Sequence, residues 1–230
     1  MAEYVRVPAA NVELDVLPLP DDLSSEAATL IEPVACAIRA VQRAGVRPGD
    51  RVAIIGAGVN GIFLTQLSRL AGASRVVVSD PIAARRERLP GYGADAVIDP
   101  GSGPAPEQLR EVNDGRLADI VFVTPAGLGP AQAGLELLEP GGYLMLFAPC
   151  APGETLPLEP HRLWFQEYTI GASYSAGPYE TRLALEWLRS GRVRGPEVIT
   201  HRFPLVRAQE AFTLTANPGP GLKAVIELGG

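Results

Sequence analysis

Cysteine is nearly missing from this chain, with only Cys36 and Cys150 in 230 residues. Far apart as they are, they form no C-x-x-C redox or metal pair, and so few cysteines point to a reduced, cytoplasmic setting. Histidine is as scarce, His161 and His201 being the whole complement, and no spacing among the four residues matches a metal-ligand pattern. Long apolar runs are lacking as well. No stretch approaches the ~18 residues that span a bilayer, and the segment from Met1 to Val7 has no signal-peptide apolar core. Positive charge is in deficit, the net being −6, which argues against a nucleic-acid or anionic-membrane partner. Neither kind of partner is expected.

What is present is ordinary for a soluble globular protein: 47% apolar residues and 20% charged. The length suggests one or two domains. The most informative stretch begins at Arg51. Val52 to Ile55 read as a buried strand, and Gly56-Ala-Gly-Val-Asn-Gly61 follows directly. Phe63, Leu67 and Leu70 then recur at helical spacing. A G-x-G-x-x-G between strand and helix is a dinucleotide fingerprint: Gly56 for the tight turn, Gly58 for close approach to a pyrophosphate, Gly61 for helix–strand packing. The helix N-terminus then meets the phosphates. The next strand, Arg75-Val-Val-Val-Ser-Asp80, ends in an acid about 20 residues on, where a carboxylate accepts from an adenosine ribose. NAD is the cofactor expected.

Strands and helices alternate from there. A charged helix is expected over 82–89, a third strand over 94–98, helix over 107–112 and a fourth strand over 118–123. A helix over 131–138, a fifth strand over 141–147, a sixth over 168–173 and a helix carrying Leu183 and Trp187 follow. Six strands in this pattern form an α/β, doubly wound parallel sheet of Rossmann type, covered by helices on both faces. Before it, residues 24–46 read as helical. Ser24 or Ser25 caps a short first helix, Pro33 begins a second, and Val34, Ile38 and Val41 face the core. Residues 1–23 read as two short extended pieces, Glu3 to Pro8 and Val12 to Pro20. The C-terminal stretch reads as a strand over 198–203, a helix over 206–215 and a strand over 222–228.

Five stretches, in order, carry a likeness to a known family: Ala2 to Ala9, Leu30-Ile-Glu-Pro33, Gly56 to Gly61, Thr200 to Leu205, and Gly221 to Ile226. Together they resemble the medium-chain dehydrogenase/reductase family, zinc-type alcohol dehydrogenases, nearest the sorbitol and threonine dehydrogenase branch. The resemblance implies that Gly56, Gly58, Asn60 and Gly61 hold the pyrophosphate, Asp80 binds the ribose and Arg85 packs near the adenine. It implies Leu146, Phe147 and Ala148 on one side of the nicotinamide, and Ser173, Tyr174 and Ser175 on the other. Family members begin with a GroES-like β domain that supplies a Cys and a Gly-His-Glu to a catalytic zinc; this sequence is expected to start after that domain, and Cys36, Cys150, His161 and His201 have no ligand spacing among them. Glu32 matches a position at or near that zinc, as a lone candidate ligand. No zinc is therefore expected, and no catalytic residue is assigned.

The implied organisation is a remnant of the catalytic β domain over 1–23, an NAD-binding domain over 24–197 and a return segment of the catalytic domain over 198–230. The implied function is an NAD(H)-binding oxidoreductase of the polyol or secondary-alcohol type, incomplete as it stands, with an unidentified small-molecule substrate. Two alternatives accompany it. One is a non-catalytic NAD-binding module or half of a split enzyme; the other is a zinc-independent NAD-using enzyme assisted by a residue such as Tyr174. A homodimer is expected, because the sixth strand in the family pairs with its twin. Residues outside these roles read as structural: His201 as a hydrogen-bonding residue, Cys150 as inert, and Trp164, Phe165 and Trp187 as packing. Among Arg85, Arg86 and Arg88, only Arg85 is drawn from a solvated helix face toward function.

Overall fold

The computed structural model describes residues 4–217 and 219–228, with nothing stated for the Asp15 side chain. The expected readings at Ala2, Glu3 and the last two glycines lie outside the described residues. Two compact units emerge, one of Cys36–Ser175 and the other of Met1–Ala35 with Ala176–Gly230.

In the first unit, six strands form one sheet: β1 (Arg51–Ile55), β2 (Arg75–Ser79), β3 (Ala96–Ile98), β4 (Ala118–Val123), β5 (Leu138–Leu146) and β6 (Thr169–Ala172). Their order is β3-β2-β1-β4-β5-β6, and every pairing is parallel. This is the doubly wound arrangement expected, with the reversal of strand order falling between β1 and β4. Strands buried on both faces read as continuous apolar runs rather than alternating ones. Val52, Ala53 and Ile54 of β1 and Val76, Val77 and Val78 of β2 are all buried. A core of Ala53, Val77, Ile98, Leu109, Val121 and Leu144 joins the strands to a covering helix.

The helices of this unit are α4 (Val59–Leu70), α5 (Ala83–Arg86), α6 (Ala105–Val112), α7 (Leu128–Glu136) and α8 (Pro160–Phe165). On α4, Phe63 and Leu67 are buried as the spacing predicts, but Leu70 is exposed. It is the last helical residue, and eight consecutive residues before it, from Gly61 to Ser68, are buried instead. The charged helix expected over 82–89 is a single turn, α5, followed by a 3₁₀ turn at Leu89–Tyr92. Pro90 has no N–H to continue an α-helical ladder. Trp164 and Phe165, read as packing residues, are 72% and 62% exposed. They stand on the six-residue α8, just ahead of the edge strand β6.

The second unit holds α1 (Ala9–Asp15), α2 (Ser25–Ala28), α9 (Pro178–Arg189), β7 (Ile199–Pro204), α10 (Ala208–Ala216) and β8 (Lys223–Glu227). A further helix, α3 (Ile31–Ala44), runs across the boundary between the units. Ser24 caps α2 by accepting from the Ala27 N–H at 3.2 Å. Val34, Ile38 and Val41 are buried as expected. The extended reading of residues 12–20 is overturned, since α1 is helical and no strand occurs over 4–23. The N–H groups of Asn11 and Val12 both donate to the Pro8 carbonyl. Ala9 and Ala10 are strong helix formers, and Pro18 and Pro20 stop the chain only beyond that turn. β7 and β8 pair in parallel with each other as a two-stranded sheet. Among the described residues no helix is long and apolar enough to cross a membrane.

Candidate functional site

The glycine turn lies where β1 ends. Gly56 has φ +99°, and a Cβ there would strike the Thr124 hydroxyl oxygen, so both conformation and space demand glycine. A Cβ on Gly61 would collide with the Gly56 carbonyl, which confirms that this residue brings helix and turn together. Gly58 differs. Its backbone is extended, with φ −73°, and the nearest atom to a Cβ built on it is Arg85 Nη1 at 3.9 Å. No protein atom requires a glycine here.

Gly58 also stands at the N-terminus of α4, where no side chain caps the helix. The positive end of the helix and its first N–H groups are therefore available to a ligand there. Asn60 and Gly61 lie in the same first turn. A pyrophosphate fits such a cradle.

Asp80, one residue past β2, is 4% exposed. Its Oδ2 accepts from the Ala57 N–H of the glycine turn at 2.7 Å, and its Oδ1 accepts from the Ile82 N–H at 2.8 Å. A buried carboxylate needs such partners, and each oxygen keeps a further lone pair for a ribose hydroxyl. Arg85, which the resemblance puts near the adenine, sits on α5 with its Nη1 3.9 Å from a Cβ built on Gly58, beside the glycine turn. Its neighbour Arg86, read from sequence as part of a solvated face, is 16% exposed in its side chain. It donates to the Asp80 carbonyl through Nη1 and to Asp99 Oδ2, at 2.7 Å, through Nη2.

The other strand ends follow in register. Leu146 of β5 pairs with Ala172 of β6, so Phe147 and Ala148 face Ser173, Tyr174 and Ser175 across adjacent strand ends. The Phe147 N–H donates to the Val123 carbonyl at 3.0 Å and the Ser173 N–H to the Leu146 carbonyl at 3.1 Å. Ser173 is 9% exposed, and its hydroxyl has no hydrogen-bond partner. An orphaned buried hydroxyl is rare in a folded protein, and a bound polar group would satisfy it. Tyr174 is 91% exposed, and Ser175 adopts φ +59°.

Thr124 and Pro125 were not singled out as site residues by their sequence. They directly follow β4, across the reversal of strand order from Gly56, and the Thr124 hydroxyl donates to the Ile55 carbonyl at 2.8 Å. A single turn-like Thr-Pro gives no local signal; the strand order puts it at the switch point, where ligands of open α/β sheets bind.

Among the described residues, no three His, Cys, Asp or Glu side chains gather to hold a metal. Glu32 occupies the first turn of α3. His161 packs against Phe165, with ring centroids 4.5 Å apart, and His201 Nδ1 lies 2.8 Å from the Thr200 hydroxyl. A separate cleft of about 390 Å³ is lined by residues of α7 and α8 and the segment before α8, among them Gln132, Leu158 and Arg162. Its Arg162 is held by Glu136 at 2.8 Å, and this bond raises its pKa above the ordinary arginine value.

The strand order defines an α/β protein of the doubly wound class. The family model for zinc-binding dehydrogenases matches residues 58–190, and the chain belongs to that family. It is 33% identical over 212 residues to sheep (Ovis aries) sorbitol dehydrogenase, covering 91% of this chain and 58% of that protein. It is 30% identical over 213 residues to the L-galactonate-5-dehydrogenase of Escherichia coli K12, covering 92% and 60%. A solved structure from Sinorhizobium meliloti 1021, provisionally assigned as a zinc-binding dehydrogenase and bound to NADP, superposes with TM-score 0.84. It is 27% identical and covers 91% of this chain and 61% of that one. Alcohol dehydrogenase TADH from Thermus sp. ATN1, at 24% identity and TM-score 0.86, shares the fold. The chain thus spans about 58% of the length of the sorbitol dehydrogenase it matches.

Proposed function

We propose that this chain binds NAD(H) along the carboxyl ends of its strands and serves a dehydrogenase acting on polyols or secondary alcohols. The observation that carries the reading is Gly58: a glycine with ordinary backbone angles, at an uncapped helix N-terminus, where a built Cβ would meet only the Arg85 guanidinium at 3.9 Å. In this reading Gly56, Gly58, Asn60 and Gly61 cradle the pyrophosphate, and Arg85 adds a cation to it. Asp80 accepts from the adenosine ribose. Leu146, Phe147, Ala148, Ser173, Tyr174 and Ser175 flank the nicotinamide, and the Ser173 hydroxyl orients its polar edge. When bound, the nicotinamide supplies the carbon that accepts a hydride from the alcohol. What these residues do is bind, orient and partly desolvate it.

A second reading is that the chain holds NAD(H) without turning over an alcohol by itself. Calorimetry with NAD, combined with NADH formation from a panel of polyols and secondary alcohols and elemental analysis for zinc, tests both. Binding with zinc-dependent turnover supports the first reading; binding without turnover supports the second; no binding overturns both. Zinc-independent turnover abolished by Tyr174→Phe would favour a tyrosine-assisted reaction.

The further expectations join this proposal. The terminal segments 1–23 and 198–230 would belong with a GroES-like β domain, and the working compartment would be the cytoplasm. The chain would act as a homodimer. Support for the dimer comes from β6 at the open edge of the sheet, with exposed Trp164 and Phe165 close by in the chain; uncovered edges and apolar side chains invite pairing.

A further inference from the structure

We infer that Asp99 is a second determinant of cofactor choice, acting through Arg86: by holding that arginine, it denies a 2′-phosphate the cation that would accept it. This rests on the proposed NAD(H) reading and deepens it. Ser79 of β2 and Ile98 of β3 are register partners, so Asp80 and Asp99 end neighbouring strands on the adenosine side. Asp80 is already engaged by the Ala57 and Ile82 N–H groups, and Arg86 touches its carbonyl rather than its carboxylate. No cation pairs with the Asp80 carboxylate in these bonds, so in the proposed reading a 2′-phosphate placed beside it would meet like charge.

Arg86 is the group that could relieve that repulsion. Its guanidinium is anchored on Asp80's own carbonyl, beside the carboxylate proposed to meet the ribose, and guanidinium forks match phosphate geometry. Its second nitrogen is instead committed to Asp99 Oδ2 at 2.7 Å. Asp99 is itself fixed. Its Oδ1 accepts from the Gly101 N–H at 2.9 Å, its own N–H donates to Gln108 Oε1 at 3.2 Å, and its carbonyl accepts from Gln108 Nε2 at 2.8 Å. The ion pair is partly buried, with Arg86 16% and Asp99 30% exposed in their side chains, so it is screened less than a surface pair. Asp99 therefore acts as a lock on Arg86.

The test is calorimetric affinity for NAD and for NADP in wild type, Asp99→Asn, Asp99→Ser and the double variant Asp99→Asn/Arg86→Ala, each checked for a cooperative melt. Asparagine keeps an oxygen for the Gly101 N–H but removes the charge that holds Arg86; the serine variant does the same should asparagine disturb folding. Either should tighten NADP by roughly tenfold, the scale of a gained charge-assisted pair, while NAD changes by less than about threefold. The double variant should lose the gain. An unchanged NADP-to-NAD ratio, a parallel fall in both affinities, or a gain that survives loss of Arg86 would overturn the inference and leave NAD binding standing. If wild type bound neither nucleotide, the NAD(H) reading would fall first and this inference with it.

Discussion

Replacing Gly58 and Gly61 in turn with alanine separates what the protein needs for its own fold from what a ligand needs. At Gly58 the backbone is in a region open to any residue, and the nearest heavy atom to the new methyl is 3.9 Å away. Removing a glycine gains about 0.4–1 kcal/mol by restricting the unfolded chain. Alanine is a poorer N-cap than glycine by a similar amount. The two effects nearly cancel, so Gly58→Ala should shift Tm by no more than ~4 °C, taking about 2–4 °C per kcal/mol for a chain of this size. Its methyl, however, fills the space where a pyrophosphate would rest. Losing even one charge-assisted hydrogen bond, worth about 1.5–3 kcal/mol, should weaken NAD roughly 10- to 150-fold. At Gly61 the methyl meets the Gly56 carbonyl, which cannot move without opening the turn. Overpacking of this kind costs about 1–3 kcal/mol, so Gly61→Ala should lower Tm by roughly 2–12 °C. Thermal melts and calorimetry on the two variants decide the matter. A Gly58→Ala protein that melts like wild type and also binds NAD like wild type would remove the cradle from the argument.

The remaining expectations can be checked with the same protein. NAD should bind at least about tenfold more tightly than NADP, the repulsion at Asp80 being worth more than ~1.4 kcal/mol; Asp80→Ser should narrow the gap, and equal wild-type affinities would contradict the ribose role. Light scattering at micromolar concentration should give a mass of twice 24.3 kDa or more, and a clean monomer would end the pairing of β6 with a twin. Hydrogen bonding from Arg202 holds the exposed Glu26 carboxyl below its ordinary 4.5. A lowered carboxylate contributes stability above its unfolded pKa and loses it as pH falls through the folded value. The small Tm deficit of Glu26→Gln at neutral pH should accordingly fade in acid below 4.5; a deficit that stays constant with pH would argue against the pair.

Much of the nucleotide-binding unit could be read from local sequence, because the rules behind it act within a few residues. Val52 to Ile55 must be buried strand, Gly56 must turn with positive φ, and an acid must close β2; these follow from sterics and apolar patterning wherever the chain sits. Local rules failed where two signals competed, as at residues 9–15, where the prolines hid a helix, and along α4. There Leu70 continues the apolar spacing of the buried face yet is exposed at the end of the helix. Trp164 and Phe165 failed for the opposite reason, since apolar type does not say whether a partner is present to cover it. The tertiary structure alone decided which distant residues meet. Thr124 closes over Gly56 and Arg86 bridges Asp80 to Asp99 only because β3-β2-β1-β4-β5-β6 is the order of strands. That order is a property of long-range pairing, and no window of sequence short enough to show a turn or a helix contains it.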